Sequence, residues 1–255
     1  MTWNIDPILF NFGGISLHWY GLLFACGIWG GAALLKRMLK ESGQNVALVD
    51  ELFFPVFIGI IVGARLMHCL AYEPDFYLAH PMEILYIWKG GLASHGGGLG
   101  AILGVLWVAR RNKLSLMYLL DYLALPTLVF AVCVRLANLM NSEIYGKVTD
   151  GPWGVIFARV DMLPRHPAQL YEAMGYLLLA VLLWQMRRAL LALEGRLFGA
   201  FLIGVFVIRM LVEVVKPEQA SYIPSLPLTV GQLLSVPFIL VGIWLWLRAR
   251  TGKRS

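Results

Sequence analysis

The sequence is poor in charged residues and in cysteine. Only 14% of its 255 residues are Asp, Glu, Lys or Arg, whereas a soluble domain carries about 25%. This shortage of charge excludes an ordinary soluble domain. The three cysteines lie in apolar segments without the spacing of a metal or redox motif, so we expect buried free thiols at Cys26, Cys69 and Cys133.

Several catalytic motifs are also missing. The sequence has no Gly-x-Ser-x-Gly elbow, no phosphate-binding P-loop and no His-Glu-x-x-His motif. It also lacks the clustered Asp-x-x-Asp-Gly pattern that would hold a metal pair for nucleotide-activated phospholipid chemistry. We therefore expect neither a metal nor another cofactor.

Apolar segments make up most of the chain. Hydrophobic residues account for 59% of the sequence and the mean hydropathy is +0.72, which indicates a polytopic membrane protein. Each apolar segment is about 20 residues long, which is the length that a helix needs to cross a bilayer. Met1–Asp6 lacks the basic region of a cleavable signal peptide, so we expect the first span to direct insertion. We predict an all-α fold, a single integral membrane domain over residues 1–255, with about seven transmembrane helices near 17–37, 50–71, 92–110, 117–139, 168–187, 196–215 and 230–248.

The basic residues predict the orientation. Most lysines and arginines follow the first, third, fifth and seventh segments. By the positive-inside rule these ends are cytoplasmic, so the N-terminus lies outside and the C-terminus inside. Residues 140–167 then form a small extracytoplasmic head. The net charge of +6 reflects this topology, and we expect no binding to nucleic acid.

Polar residues inside the apolar segments predict a functional site. A buried cation costs at least a few kcal/mol in a membrane and usually faces a polar cavity. Arg65, Arg135 and Arg209 lie late in outward-running segments, whereas inward-running segments open with polar residues: His18 and Tyr20, His95, and Gln232. All of these fall near the outer leaflet, where we expect an anion to be held.

Arg135, Asn138 and Asn141 are spaced three residues apart and therefore lie along one helix face. Such a stripe presents a guanidinium and two amides, a good set of donors for phosphate oxygens. The alternative is a structural clamp between helices, in which Arg135 pairs with Glu143 or Glu213.

The other two arginines also have two interpretations. Arg209 and Glu213 are four residues apart, so they either neutralise each other along the helix or Glu213 orients Arg209 toward a phosphate. Arg65 follows Gly63-Ala64, which allow helices to approach closely. It is either a substrate-binding residue or only a structural clamp.

His95 lies in a glycine-rich stretch, Lys89–Gly100. The glycines favour a flexible entry through which backbone and ligand come close. Neutral imidazole suits removal of a proton from a thiol, so we predict that His95 is a general base. A lone histidine is otherwise more often structural.

Seven motifs in order resemble the prolipoprotein diacylglyceryl transferases of bacterial inner membranes. The family signature Gly-Arg-x-Gly-Asn has Val134 and Ala137 in place of its two glycines here, and Ser142 replaces the glycine before Glu143. The stretch from Gly146 to Arg165 also looks short for the family. The motifs are His18-Trp-Tyr-Gly21, Gly63-Ala-Arg65, Gly90-Gly-Leu-Ala-Ser-His-Gly-Gly97, Arg135-x-x-Asn-x-x-Asn-x-Glu143 with Gly146, Arg165-His-Pro-Ala-Gln-Leu-Tyr-Glu172, Arg209-x-x-x-Glu213 and Gly231-Gln232.

The resemblance implies transfer of the diacylglyceryl group of phosphatidylglycerol to the lipobox cysteine of a preprolipoprotein, which is the first step of lipoprotein maturation. The product is a thioether, glycerol phosphate is released, and the nucleophile belongs to the substrate. The protein would lie in the bacterial inner membrane among membrane lipids, with its site near the outer leaflet. The implied catalytic residues are His95, Arg135 and Arg209; the substrate is bound by Arg135, Tyr20, Asn138, Gly146 and Arg65, with support from Glu143, Glu213, Asn141 and Gln232.

Two rival functions remain at this point. A lipid transporter or flippase would bind anionic lipid without chemistry, but it predicts charges spread along a path, whereas here they cluster near one face. An inactive family member would serve as a lipid-binding scaffold, and the replaced glycines are consistent with that.

Overall fold

A computed structural model describes residues 1–217 and 229–249, and the chain is mostly helical. Within these residues each predicted apolar segment is a helix, and a further short helix, α3, follows the second segment. The α-helices are α1 (Trp19–Glu41), α2 (Leu48–Met67), α3 (Pro74–Ala79), α4 (Ser94–Arg111), α5 (Leu116–Met140), α6 (Ala168–Leu190), α7 (Arg196–Glu213) and α8 (Val230–Arg248).

Four helices in the described residues are long and apolar enough to cross a membrane. They are α1, α2 with the π-helical turn that extends it to Tyr72, α5 and α8. The chain is therefore a helical membrane protein in its general character. That α4, α6 and α7 also span the bilayer stays a prediction.

The structure corrects the all-α prediction, because the chain also forms short strands. One sheet has the order β1 (Thr2–Trp3), β4 (Val155–Phe157), β5 (Pro164–Arg165), and β2 (Ile8–Phe12) pairs with β3 (Ile15–His18) as a hairpin. The hairpin turns at Gly13 and Gly14, whose φ angles of 56° and 86° suit glycine. Strands of two to five residues are too short to leave a clear alternation in the sequence.

The chain forms two compact units. The first contains residues 1–37 and the chain from Asp121 onward. In it α6 packs on α7 and α7 packs on α8. The predicted head segment encloses a small core of Leu139, Val155 and Phe157, and Trp3 donates its indole N–H to the carbonyl of Leu139 at 3.0 Å. The N-terminal strand is thereby fixed to the head.

A buried carboxylate organises the start of α7 in the first unit. Asp121 is 2% exposed, although it lies in an apolar helix. Its two oxygens accept the backbone N–H groups of Gly195 and Phe198, both at 2.7 Å. These donors have no partner within the helix, so Asp121 caps α7 from a neighbouring helix. Sequence analysis did not single out this residue.

The second unit, Met38–Leu120, is built on contact between α2 and α4. A Cβ added at Gly63 or Gly100 would collide with backbone of the other helix, so only glycine fits there. Gly63 therefore permits the close approach that the sequence predicted. The glycines after His95, in contrast, belong to a regular helix packed on α2. The flexible, glycine-lined entry expected there is wrong for the described residues from Ser94 onward, which are helical.

The cysteines are all free, as expected, but they differ in burial. Cys69 is buried, Cys133 is half-buried and Cys26 is exposed. The expectation of burial is wrong for Cys26, which is exposed although Gly27 beside it packs on α5. An apolar segment in a membrane protein does not by itself indicate which of its faces is covered by protein.

Candidate active site

Arg135 is held by a carboxylate that the sequence did not suggest as its partner. The guanidinium lies near the end of α5, and its Nε forms an ion pair with Oε2 of Glu172 on α6. Glu172 is fully buried. The partners suggested from the sequence, Glu143 and Glu213, do not pair with Arg135 in the described residues. Glu172 is the last residue of the motif that begins at Arg165, but spacing along the chain did not link it to Arg135.

A second buried cation contacts the same carboxylate. Lys216 is 5% exposed, and its Nζ lies 2.8 Å from Oε1 of Glu172. The same Nζ is 3.9 Å from Oε2 of Glu213. Glu172 thus joins two cations, one through each oxygen, and we call Arg135, Glu172 and Lys216 the Glu172 bridge. Sequence analysis missed Lys216, which follows the apolar part of α7.

The predicted polar stripe is present beside this bridge. Arg135 donates from Nη1 to Oδ1 of Asn138 at 3.1 Å. Asn138 and Asn141 then donate to the two oxygens of Glu143, at 3.3 Å and 3.0 Å. Glu143 itself is exposed. It therefore orients the two amides rather than either arginine.

Arg209 has no hydrogen-bond or ion-pair partner among residues 1–217 and 229–249. Glu213, four residues further along α7, is directed instead toward Lys216 and packs against Gly231, where a Cβ would collide with the carboxylate. The intrahelical bridge considered from the sequence is therefore not formed in this part of the chain. Within this part of the chain the guanidinium of Arg209 therefore has no competing carboxylate.

Tyr176 connects these groups in space. It is buried on α6, and its side chain lies within electrostatic reach of Arg135, Arg209 and Glu172. Because the Tyr176 phenol interacts with both arginines, Arg135 and Arg209 lie in the same part of the first unit. The arrangement is a cationic site with a tyrosine hydroxyl in it. Sequence analysis did not identify Tyr176, whose position in a long apolar helix gives no signal.

Gly146, expected to position a headgroup, lies where two parts of the chain cross. Its N–H donates to the carbonyl of His166 at 2.8 Å, and a Cβ would meet the backbone of Val215 at 2.7 Å. The next residue, Lys147, donates its backbone N–H to Val215 at 2.7 Å. Gly146 thus ties the head to the end of α7. This contact fixes the segment that carries Lys216.

The loop that carries Glu143 is strained. Ser142 and Ile144 have φ angles of 55° and 56°, a left-handed conformation that costs non-glycine residues free energy. The glycine usual at position 142 in the resembled family suits this conformation. Strain of this kind persists where surrounding contacts fix the backbone, often at functional sites. In contrast, α5 runs unbroken through Val134 and Ala137, so these replacements do not disturb the helix.

The remaining predicted residues of the first unit lie at helix starts. Gln232 forms a capping box with Thr229 at the start of α8, and its amide also reaches the carbonyl of Met210 at 3.3 Å. Tyr20, in the first turn of α1, stacks on Phe24 with ring centroids 6.3 Å apart. His18 is exposed at the end of β3.

In the second unit, Arg65 is surrounded by backbone carbonyls. It is 3% exposed and donates to the carbonyls of four residues between α3 and α4: Glu83, Ile84, Gly90 and Gly91. Its face also stacks over the Tyr77 ring at 5.1 Å. With every guanidinium nitrogen occupied, these contacts favour the structural clamp over substrate binding.

His95 is the second residue of α4 and its side chain is exposed. It has no hydrogen-bond partner within the described residues. The imidazole is therefore accessible to a substrate. That His95 meets the arginines of the first unit stays a prediction from the order and direction of the spans.

An ion pair in the head lies outside the helices. Arg165 donates to both oxygens of Asp161, and the guanidinium also stacks over the Tyr145 ring at 5.0 Å. The hydrogen bond from Arg165 lowers the pKa of the Asp161 carboxyl and raises the pKa of Arg165. Neither residue was given a role from the sequence.

No group of three or more His, Cys, Asp or Glu side chains in residues 1–217 and 229–249 has the arrangement of a metal site.

Comparison with known proteins identifies extensive similarity. The family described as Prolipoprotein diacylglyceryl transferase matches residues 7–248. The chain is 50% identical over 255 residues to the phosphatidylglycerol–prolipoprotein diacylglyceryl transferase of Tolumonas auensis, with 99% of each chain covered. Proteins of the same description from Chloroherpeton thalassium and Bacteroides fragilis are 44% and 42% identical. These alignments cover 95% and 96% of this chain and 92% and 93% of the relatives.

Proposed function

The chain belongs to the prolipoprotein diacylglyceryl transferase family, and on this basis we propose how its buried cations act on a phospholipid. The protein is a transferase that moves the diacylglyceryl group of phosphatidylglycerol to the lipobox cysteine of a preprolipoprotein. The cysteine thiolate attacks the glycerol carbon next to the phosphate. A C–S bond forms, the C–O bond breaks, and glycerol phosphate leaves with the electron pair.

The charge on the phosphate grows during this step. The phosphodiester of phosphatidylglycerol carries one negative charge, and the departing monoester carries a second one. A cation beside the leaving oxygen therefore stabilises the transition state more than the bound lipid. The site should increase the rate of the chemical step more than the affinity for lipid.

The observation that carries this proposal is Arg209 beside the Glu172 bridge, without a partner among residues 1–217 and 229–249. Around Tyr176, three cations meet two buried carboxylates, which leaves one positive charge in excess. The groups are Arg135, Arg209 and Lys216 on one side and Glu172 and Glu213 on the other. One excess charge matches a monoanionic phosphodiester in a medium where unbalanced charge is costly.

The two arginines have different parts in this mechanism. Arg135 uses Nε and Nη1 for Glu172 and Asn138, and its guanidinium also contacts the Tyr176 hydroxyl. Arg209 has no partner in the described residues and can grip two phosphate oxygens with its planar fork. Arg209 thus takes the charge of the leaving phosphate, and Arg135 fixes the position of the lipid.

Removal of the thiol proton is assigned to His95, whose exposed imidazole has no competing partner in the described chain. A thiol placed beside cations also ionises more readily, which assists this step. Tyr20 and Asn138 complete the binding of the headgroup. Gly146 and Gln232 hold the segments around it, and Arg65 holds the loop before α4.

The membrane topology proposed is seven spans in the bacterial inner membrane, with the site near the outer leaflet. Arginines stacked on tryptophans at the ends assigned to the cytoplasm support it, because both side chains favour the membrane interface. In these pairs the guanidinium carbon lies 3.5–5.4 Å from the ring centroid: Arg187 and Arg37 over Trp184, Arg196 over Trp246, Arg248 over Trp244 and Arg111 over Trp107.

Incubation of the purified protein in nanodiscs with phosphatidylglycerol and a lipobox peptide tests the proposal. We expect release of glycerol phosphate and a peptide heavier by the diacylglyceryl group. The matched control is the same peptide with its cysteine replaced by serine, which should gain no lipid. Binding of lipid without release of glycerol phosphate would instead identify a lipid-binding scaffold or a transporter.

A further inference from the structure

We propose that Lys216 is a positioning residue for the transfer reaction and acts through Glu172 on Arg135. It has two effects: it fixes the carboxylate that holds Arg135, and it keeps the Glu172 bridge positively charged. This inference rests on the proposed function, since it concerns the same phosphate site.

The position of Lys216 identifies its main partner. Its Nζ is 2.8 Å from Glu172 and 3.9 Å from Glu213, so the hydrogen bond is made to Glu172. The ammonium is 5% exposed. Burial of an ammonium is costly unless it is closely paired, and a carboxylate held by a second cation is a fixed partner. The orientation of Glu172 is therefore set from both sides.

The charges of the bridge show why a second cation is useful. An isolated pair of Arg135 and Glu172 is neutral, and it would attract a phosphate only weakly. Addition of Lys216 gives the bridge one net positive charge while Arg135 stays in place. Neutralisation of Glu172 alone would not require Lys216, because Arg135 already neutralises it. Lys216 also lies 3.9 Å from the buried Glu213, so the charge of the whole site decides its effect. With Arg209 and Glu213 counted, the site carries one net positive charge with Lys216 and none without it, which favours an anionic ligand.

The backbone around Lys216 supports a fixed position. Its N–H donates to the carbonyl of Glu213 at 3.1 Å, in a turn that follows the end of α7. The preceding residue, Val215, accepts the backbone N–H of Lys147 at 2.7 Å. The ammonium therefore extends from a segment that is tied to the head, which limits its reach to the bridge.

Kinetics of four variants in nanodiscs test this inference: K216M, K216R, E172Q and the double variant K216M/E172Q. K216M makes the bridge neutral, and we expect kcat to fall about tenfold with a smaller change in KM for phosphatidylglycerol. K216R keeps the charge and should retain most of kcat. The double variant again carries one positive charge, and the amide oxygen of the new glutamine still accepts from Arg135, so its kcat should exceed that of K216M.

A purely structural lysine predicts a different pattern. In that case K216M/E172Q would be no faster than K216M, and K216M would lower the unfolding temperature without a specific fall in kcat of the folded fraction. Either result would overturn the inference. K147M is the matched control, because Lys147 is an exposed lysine whose side chain donates only to the carbonyl of Val214, at 3.2 Å, in the described chain.

The wild type and K147M also separate the two hypotheses. If neither releases glycerol phosphate, the proposed function itself fails. If both are active and K216M is equally active, only the role of Lys216 fails.

Discussion

Arg209 and Glu213 lie four residues apart on α7, yet within the described residues they form no ion pair. Glu213 faces Lys216, and its carboxylate fills the space that a side chain at position 231 would need. Helix geometry alone would favour the pair, since residues four apart are neighbours on a helix surface. The carboxylate is thus paired with another cation in these residues, and in the proposed mechanism the guanidinium of Arg209 binds the phosphate.

The pH dependence of H95Q separates two roles of this histidine. If His95 takes the thiol proton, H95Q should be slow at neutral pH and recover at alkaline pH, where the thiol with a reference pKa of about 8.5 ionises without a base. The measurement is the rate of peptide lipidation against pH for wild type and H95Q. A defect of the same size at every pH would show a positional role instead.

Restoring two family glycines should have opposite effects on stability. S142G relieves the backbone strain of a left-handed conformation, with φ of 55°, at position 142. It also removes a buried hydroxyl that has no partner in the described chain. We expect it to raise the free energy of unfolding by about 1 kcal/mol. A137G is the matched control. It places glycine inside a helix at a fully buried position and should lower stability by about 1 kcal/mol. Denaturant-induced unfolding in detergent measures the free energy of unfolding of both variants. A lower free energy for S142G than for the wild type would contradict the proposed backbone strain at position 142.

The packing of α2 on α4 can be tested with two glycines of α4. In G100A the new methyl group collides with backbone of Gly59, so the helices must separate at a cost of about 1–3 kcal/mol. At Gly98 nothing lies within 4 Å of the added Cβ, so G98A should be neutral or stabilising. Unfolding temperatures of the two variants make the comparison. Equal changes in unfolding temperature for G100A and G98A would refute the close contact between α2 and α4 at Gly100.

The head should respond to acid through Asp161. Its pKa is lowered by the hydrogen bond from Arg165, so the unfolded chain binds more protons than the folded one at low pH. The pair therefore stabilises the head above about pH 4, the ordinary range of an aspartate, and the contribution is lost as pH falls through the lowered pKa. D161N removes this dependence. Unfolding temperatures of wild type and D161N should converge as the pH falls below the ordinary range of an aspartate, and a constant difference would argue against the pair.

The long helices could be predicted because each contains a run of about twenty mostly apolar residues, which is a strong and local signal. The strands could not, since β1 and β4 have only two and three residues. The glycines after His95 show a different limit. Glycine permits both approach of a ligand and contact between helices, and only the position of α2 decides between these uses.

The site was predictable in its residue types but not in its pairing. Arg135, Asn138 and Asn141 share a helix face, so their spacing was sufficient to group them. Glu172 lies on α6 and Lys216 in the turn after α7, and no spacing rule joins them to Arg135. The signal available for Glu172 was its place in the motif that follows His166-Pro167, because a carboxylate inside an apolar helix needs a cation.

The most direct test of the central claim is the kcat of R209K for release of glycerol phosphate in nanodiscs of phosphatidylglycerol. Lysine keeps the charge but loses the planar fork that grips two phosphate oxygens. The control is R159K, which alters an exposed arginine of the head that lies 4.0 Å from Asp6. We predict that R209K lowers kcat by at least about 100-fold with phosphatidylglycerol still bound, and that R159K has no effect. A normal kcat in R209K would contradict the proposal that Arg209 stabilises the departing phosphate.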